Sequence, residues 1–314
     1  SREDITIKTA LMESRLIIGS PFTWSSTQNK LTQIRHDEPK KFIREKLLEA
    51  EKRRSKYSLS MQPHIKEGMG GLRDSQLLFW IAKTLYGVTT LKELSGILFT
   101  EEQYKEYRIA LELLFRVRSG LHILTGKQQD HLTLQYMPNI AKMLGFTSEK
   151  RLIPKLLEAQ WRINNFTQIY VRKMVRTHLD NDRNISVNEI KHARVMKGFY
   201  VLDNTVYASF NISSPSIDAL LEMLIQLEDI SWKFDASVLF HFTYTKIKSP
   251  LRAKTYGLLR KLFERNNLYV ILKLFYDAGI LHTLFTAFKK VLHLPQFDGY
   301  HQYPVDLHSI KCIK

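Results

Sequence analysis

The chain has 314 residues, of which 44% are hydrophobic and 25% charged, with a formal net charge of +16 and a pI of about 9.7. That length suggests about two domains of ordinary size and a sizeable buried core. No apolar run approaches the ~20 residues that span a bilayer, the charged stretch SREDITIKTALMESR does not read as a signal peptide, and the single cysteine, Cys312, excludes an internal disulfide and CxxC metal sites.

Residues 4–18, DITIKTALMESRLII, combine strand-like alternation at Ile5, Ile7, Thr9 and Leu11 with a helical composition, and a strand is expected first. Residues 28–56 read as helix with a break at His36-Asp37-Glu38-Pro39, because the residue before a proline is pushed out of the helical region. Phe42, Ile43, Leu47, Leu48 and Ala50 then form one apolar stripe. The densest basic patch, KKFIREKLLEAEKRRSKYS at 40–58, is diluted by three glutamates and reads as a solvated helix. The loop 61–72 holds Pro63, Gly68, Gly70 and Gly71, and a helix follows from about Arg73 with Leu77, Leu78, Trp80 and Ile81 facing a core.

Residues 101–125 carry Tyr104, Ile109, Leu113, Leu114, Val117, Leu121 and Leu124 at helical spacing, and Gly126 ends them as a C′ glycine would. Residues 150–178 form a second long helix, so the two read as parts of a helical bundle. HLDNDRNISVNEI, 178–190, is a polar linker. GFYVLDNTVYASF, 198–210, reads as a short hairpin turning at Asp203-Asn204. Ser214-Pro215 starts a further helix, and others are expected at 235–246, 250–265, 267–277 and 280–293. The last stretch, HQYPVDLHSIKCIK, begins another segment and reads as a fragment boundary. The expected fold class is mainly α: a helical bundle with a small β element at the N-terminus and a β-hairpin near 198–210.

The string with most chemistry in it is Lys66-Glu67-Gly68-Met69-Gly70-Gly71-Leu72-Arg73-Asp74. Three glycines in four residues let a backbone approach a ligand, and the helix start that follows offers N–H groups and a positive dipole end to a phosphate. Lys66 and Arg73 would add charge, while Glu67 or Asp74 would cap the helix or hold a metal. No Gly-Lys-Ser/Thr follows, so this is not a Walker A loop, and no βαβ unit surrounds it. The plainer reading is a tight loop leading into a helix. The charge of +16 by itself admits a different class of protein, a non-catalytic basic helical module binding nucleic acid or an acidic protein partner. No RGG tract, zinc knuckle or aromatic RNP-type strand supports nucleic acid.

As a string, KEGMGGLRDSQLLFWIAK resembles the KEGPGGLRD signature of the bifunctional PII uridylyltransferase/uridylyl-removing enzyme family. Four further segments are similar to that family in the same order. They are DITIKTALMESRLIIG at 4–19, FRVRSGLHILTGKQQDHL at 115–132, IAKMLGF at 140–146, and GILHTLFTAFKKVLHLPQFDGYHQYPVDLHSI at 279–310. The resemblance covers essentially the whole chain. It implies a soluble cytoplasmic enzyme that transfers UMP from UTP to the PII nitrogen-signalling protein with Mg²⁺, hydrolyses it off at an HD-type metal site, and responds to glutamine.

The resemblance also implies a domain division. Residues 1–20 would end a nucleotidyltransferase domain, 21–185 form the helical bundle of the transferase region, 186–298 lead to the HD domain, and 299–314 begin it. Little catalysis carries over residue by residue. The Gly-Ser…D-x-D motif of the transferase has no match, and Asp4 and Glu13 are the candidates for an outlying carboxylate. Lys66, Glu67, Gly70, Gly71, Arg73, Asp74, Arg118 and His122, with Lys127 and Asp130 beside them, are candidates to face nucleotide or PII. His308 matches the first HD metal histidine, with His301 upstream of it. The later His-Asp pair and final Asp have no match, so the chain alone is expected to be an inactive scaffold. Pro304 and Leu307 depart from the family's threonine and glutamate, which leaves open a relative that kept the scaffold and lost the chemistry.

Overall fold

A computed structural model describes residues 5–57, 59–178, 194–298 and 300–314. Its helices are α1 (Ile5–Met12), α2 (Pro21–His36), α3 (Pro39–Lys56), α4 (Leu72–Tyr86), α5 (Glu101–Thr125), α6 (Met137–Met143) and α7 (Glu149–His178). After the strands β1 (Arg194–Met196), β2 (Phe199–Leu202) and β3 (Thr205–Ala208) come α8 (Ile217–Gln226), β4 (Lys233–Phe234), α9 (Ala236–Tyr244), α10 (Ala253–Phe263), α11 (Leu268–Asp277), α12 (Leu281–Leu284) and α13 (Val305–Lys311). The mainly α expectation holds, and among the described residues no helix is long and apolar enough to cross a membrane.

Local chemistry sets the ends of α5. Thr100 Oγ1 accepts from Gln103 N at 3.2 Å while Gln103 Oε1 accepts from Thr100 N at 2.8 Å, a reciprocal capping box. Glu101 and Glu102 sit against the positive end of the dipole. Gly126, at φ +65°, terminates the helix in the left-handed region.

Helix α7 is the axis of the molecule. It packs against α4, α5 and α6 on one side and α9 on the other, so apolar residues surround most of its circumference: Leu156, Ile163, Ile169 and Met174 are fully buried. Phe166 stacks on Tyr107 of α5 with ring centroids 4.4 Å apart and meets Tyr170 at 4.6 Å. Polar pins tie the later half of the chain to the same helix. Arg172 Nε donates to Asp235 Oδ2 at 2.7 Å, Arg176 donates to the Ala208 carbonyl, and Asn165 donates to the Asp277 carbonyl.

The hairpin falls where its turn residues put it. β2 and β3 pair antiparallel around Asp203 and Asn204, both at positive φ (47° and 56°), the geometry of the primed turns that match strand twist. β1 adds antiparallel to β2, and the two-residue β4 adds parallel to β3, giving the order β1-β2-β3-β4.

Three expectations are corrected. The strand expected at the start is the helix α1, because the positions that bury, Lys8, Thr9 and Met12, follow helical spacing rather than alternation, and Ile7 points outward. The helix expected from Ser214-Pro215 is capped by Ser216, whose hydroxyl accepts from Ala219 N at 3.3 Å. The helix expected over 280–293 is broken by extended backbone at Phe285 into α12 and a 3₁₀ turn at Thr286–Lys290. The break at Pro39 occurs as read, with Glu38 in the left-handed region. The linker at 178–190 lies, beyond His178, outside the described residues.

Candidate functional site

The glycine loop leads directly into α4, and its own backbone occupies the amides of that helix start. Leu72 N donates to Ile65 O, Arg73 N to Lys66 O and Asp74 N to Gly71 O, each at 3.0 Å, while Gly71 N reaches Gly68 O at 2.8 Å. Gly70 N is held by Asp74 Oδ2 at 2.8 Å. These donors are spent inside the fold, so a phosphate would find none of them at this helix end. The glycines answer to packing: Gly70, at φ +68°, lies where a Cβ would run into the Gln160 carbonyl of α7, and a Cβ on Gly71 would meet three carbonyls of its own loop at 2.7–2.8 Å.

Asp74 anchors the loop to two helices. Its carboxylate is fully buried and pairs with Arg53 and, at 3.2 Å, with Arg54, both from α3. Its carbonyl accepts from Thr167 Oγ1 of α7 at 3.4 Å. The sequence reading assigned Arg53 and Arg54 to a solvated basic face and so missed them as partners. The only signal available was their place at the end of a helix whose other face is apolar.

Two segments roughly 65–70 residues apart in sequence are knitted together beside this loop. Ile65 N donates to Asp130 O at 2.7 Å and Leu132 N to Pro63 O at 3.0 Å. The bridge brings Lys66 close enough to act on Asp130, which Arg118 and His122 face, while Glu67 and Lys66 lie beside His64. Asp130 accepts from Arg118 Nε at 2.6 Å, and His122 Nε2 lies 3.4 Å from the same oxygen without hydrogen-bond geometry. Burial raises the Asp130 carboxyl pKa, but Arg118, His122 and Lys66 outweigh it and hold the group below its usual value. Glu67 sits 3.4 Å from Arg73 Nε and 4.0 Å from Lys66 Nζ. Lys127 is exposed next to the cluster. Two histidines that the sequence reading did not single out complete the bridge. His64 Nδ1 accepts from Glu67 N at 3.0 Å, and the ring of His131 stacks on His64 at 6.2 Å.

The remaining candidates are dispersed. Glu13 accepts from Trp80 Nε1 at 2.6 Å, with Lys46 Nζ 4.6 Å from the Trp80 ring, so it faces α4 rather than the Asp130 cluster. Asp4 lies outside the described residues. His308 is exposed on α13, its ring 5.5 Å from that of His301, whose Nδ1 is 2.6 Å from Asp298 Oδ2. Asp306 is buried and turned inward, accepting from His293 N at 2.6 Å and Leu307 N at 2.7 Å. Leu307, where the resembling family carries glutamate, packs into the core at 4% exposure. Among the described residues no group of three or more His, Cys, Asp or Glu side chains gathers as metal ligands. The described side chains thus assemble no ligand set for either a transferase or an HD-type metal.

Comparison with known proteins gives a consistent set of relatives. A family model described as GlnD PII-uridylyltransferase matches residues 41–171, the stretch from α3 to α7 that holds the glycine loop and the Asp130 cluster. The chain is 28% identical over 329 residues to a bifunctional uridylyltransferase/uridylyl-removing enzyme of Ruegeria pomeroyi, covering 99% of this chain and 36% of that protein. It is 26% identical over 341 residues to one from Bradyrhizobium sp. strain ORS 278, with 100% and 36% covered. Against one from Photobacterium profundum it is 26% identical over 329 residues, with 99% and 37% covered. The chain thus spans little more than a third of the length of the curated relatives it matches. No solved structure matches it.

Proposed function

Since the chain belongs to the PII-uridylyltransferase family, we propose that it is the central scaffold of a bifunctional cytoplasmic enzyme that transfers UMP from UTP to PII and hydrolyses it off, under glutamine control. In this reading residues 1–20 close a nucleotidyltransferase domain, 21–185 are the bundle packed against it, 186–298 lead to the HD domain and 299–314 begin that domain. Mg²⁺ for transfer and the HD metal for removal belong to parts whose ligands the described residues do not gather. Its own residues bind and orient.

The observation that carries the reading is the bridge between 63–65 and 130–132. The reading is supported by Lys66, Arg118 and His122 all acting on Asp130 within the stretch the family model matches, with Arg73 joined through Glu67. Asp130 holds the Arg118 guanidinium by Nε, which orients the planar fork. A fork fixed in this way suits the phosphates of a nucleotide or an acidic patch on PII. The glycine loop supplies the rigid floor: its hydrogen bonds hold the backbone that carries Lys66 and Arg73.

The test is made on the full reading frame that contains this chain. That frame is expected to encode a Gly-Ser…D-x-D motif before residue 1 and a His-Asp pair after residue 314. In the protein it encodes, Arg118→Ala is expected to slow uridylylation of PII by about 100-fold, the scale of losing one preorganised charged donor, with an unchanged melting temperature. An unaltered rate would sink the role of the cluster. Absence of both flanking motifs, together with a steeply salt-dependent affinity for RNA, would replace the enzyme reading with the basic binding module.

A further inference from the structure

A cleft of about 710 Å³ opens between α5, α7 and the segment running from α9 to His293. Its volume is in the range of small-molecule sites. It is separate from the Asp130 cluster: Glu106 in the cleft and Arg118 in the cluster lie twelve residues apart on α5, roughly 18 Å along the helix axis.

Two independent features distinguish its lining. The first is charge. In a chain of net charge +16, this cleft is lined by Glu102, Glu106 and Glu158 against one arginine, Arg162. Arg162 spans the carboxylates, donating to Glu106 Oε2 at 2.6 Å and to Glu158 Oε1 at 2.9 Å and 3.1 Å. Its charge is therefore shared between two glutamates, and the lining keeps an acidic excess. The neighbouring His282 and His293 do not cancel that excess, because burial favours their neutral forms.

The second feature is a set of buried polar atoms that the fold leaves unmatched. Thr243 Oγ1, His282 Nδ1 and His293 Nδ1 are buried without a hydrogen-bond partner, and all three belong to residues lining this cleft, as does Tyr276, whose hydroxyl faces Asp306. The residues Tyr276 and His293 are 3% and 7% exposed. Their nearest polar neighbour is Asp306, which is already engaged by two backbone amides: His293 Nδ1 is 3.5 Å from Asp306 Oδ2, short of a hydrogen bond. Buried donors and acceptors are normally satisfied, so three exceptions in the lining of one cleft point to a ligand that supplies the missing partners.

Trp161 forms an aromatic wall. Its ring lies against Gly279, at φ +72°, where a Cβ would come within 2.5 Å of the indole. Only glycine leaves room for the ring in that position, and a fixed aromatic face beside carboxylates is a cation-binding arrangement.

We propose that this cleft binds a small organic cation, an amine or guanidinium on a polar body. Glu106 and Glu158 take its charge beside the Trp161 ring, and Thr243, His282 and His293 hydrogen-bond its polar part. This is a site distinct from any that the proposed transfer or hydrolysis would use, and its failure would leave that reading untouched.

The test is titration calorimetry of the 314-residue chain with agmatine as the probe and UMP as an anionic control. Saturable agmatine binding is expected, with UMP giving no heat in this cleft. The double variant Glu106→Gln, Glu158→Gln should weaken agmatine at least 10-fold, about 1.4 kcal/mol. Thr243→Val, which keeps shape and charge, should weaken it a few-fold, so the proposal stays testable if the double variant fails to fold. No saturable agmatine binding would overturn the site. So would binding undiminished in Thr243→Val and in a folded double variant.

Discussion

The glycine loop and the cleft treat polar groups in opposite ways. In the loop, amides, a buried carboxylate and two arginines are matched to one another, and glycines let three layers of backbone come within van der Waals contact. In the cleft, an ion triad and three unmatched buried atoms surround open space. Closed hydrogen-bond networks hold architecture, while open ones are where a fold retains capacity for something else. The most distinctive string in the sequence therefore marks a structural keystone, and the most ligand-ready surface lies among residues that no motif announces.

The comparison can be broken at several points. Gly70→Ala should have the largest effect, a loss exceeding about 4 kcal/mol, because it adds a collision with the α7 backbone to a left-handed conformation. Denaturant unfolding would show it, and wild-type stability in the Gly70→Ala variant would mean that the loop is not a keystone. Asp74→Asn should cost about 3–5 kcal/mol by leaving Arg53 buried and unpaired. If the cost is under about 1 kcal/mol, the network behaves as a surface ion pair.

A third measurement uses pH. His64 takes a backbone N–H at Nδ1, and burial lowers its pKa below the usual value. The folded state thus prefers the neutral ring. Its contribution is fully present above the unfolded pKa of about 6.5 and is lost as pH falls from there toward the folded pKa. The melting temperature should drop between pH 7 and pH 5, and His64→Asn, which keeps an acceptor without titrating, should flatten that slope. An identical slope in the variant would remove His64 as its source.

The smallest expected effect sharpens the contrast most. Thr243→Val removes an unmatched buried hydroxyl and should be neutral or stabilising by up to about 1 kcal/mol. Destabilisation of the size expected at Asp74 would show that Thr243 is as fully engaged as the loop, and the two regions would no longer differ in kind.

Much of the helical layout was legible in the sequence. The capping box and Gly126 delimit α5, Asp203-Asn204 turns the hairpin, and Pro39 separates α2 from α3, because each of these signals acts over a few residues. Residues 4–18 were misread because Ile5, Ile7 and Thr9 alternate by chance. Which of them bury is decided by the α2–α3 corner, where Lys8 reaches across to the Asp37 carbonyl at the end of α2 and sits 5.1 Å from the Phe42 ring of α3.

The KEGMGGLRD string by itself determined that a tight turn precedes a helix and that the chain resembles one enzyme family. What Gly70 is for was decided only by tertiary structure, because the atoms that exclude a Cβ there belong to Gln160, 90 residues away in sequence. The same holds for the Asp130 cluster and the cleft. Hydrophobic spacing fixes which faces are buried, but the partner of a charged or hydroxyl group is set by long-range contacts that no local pattern encodes.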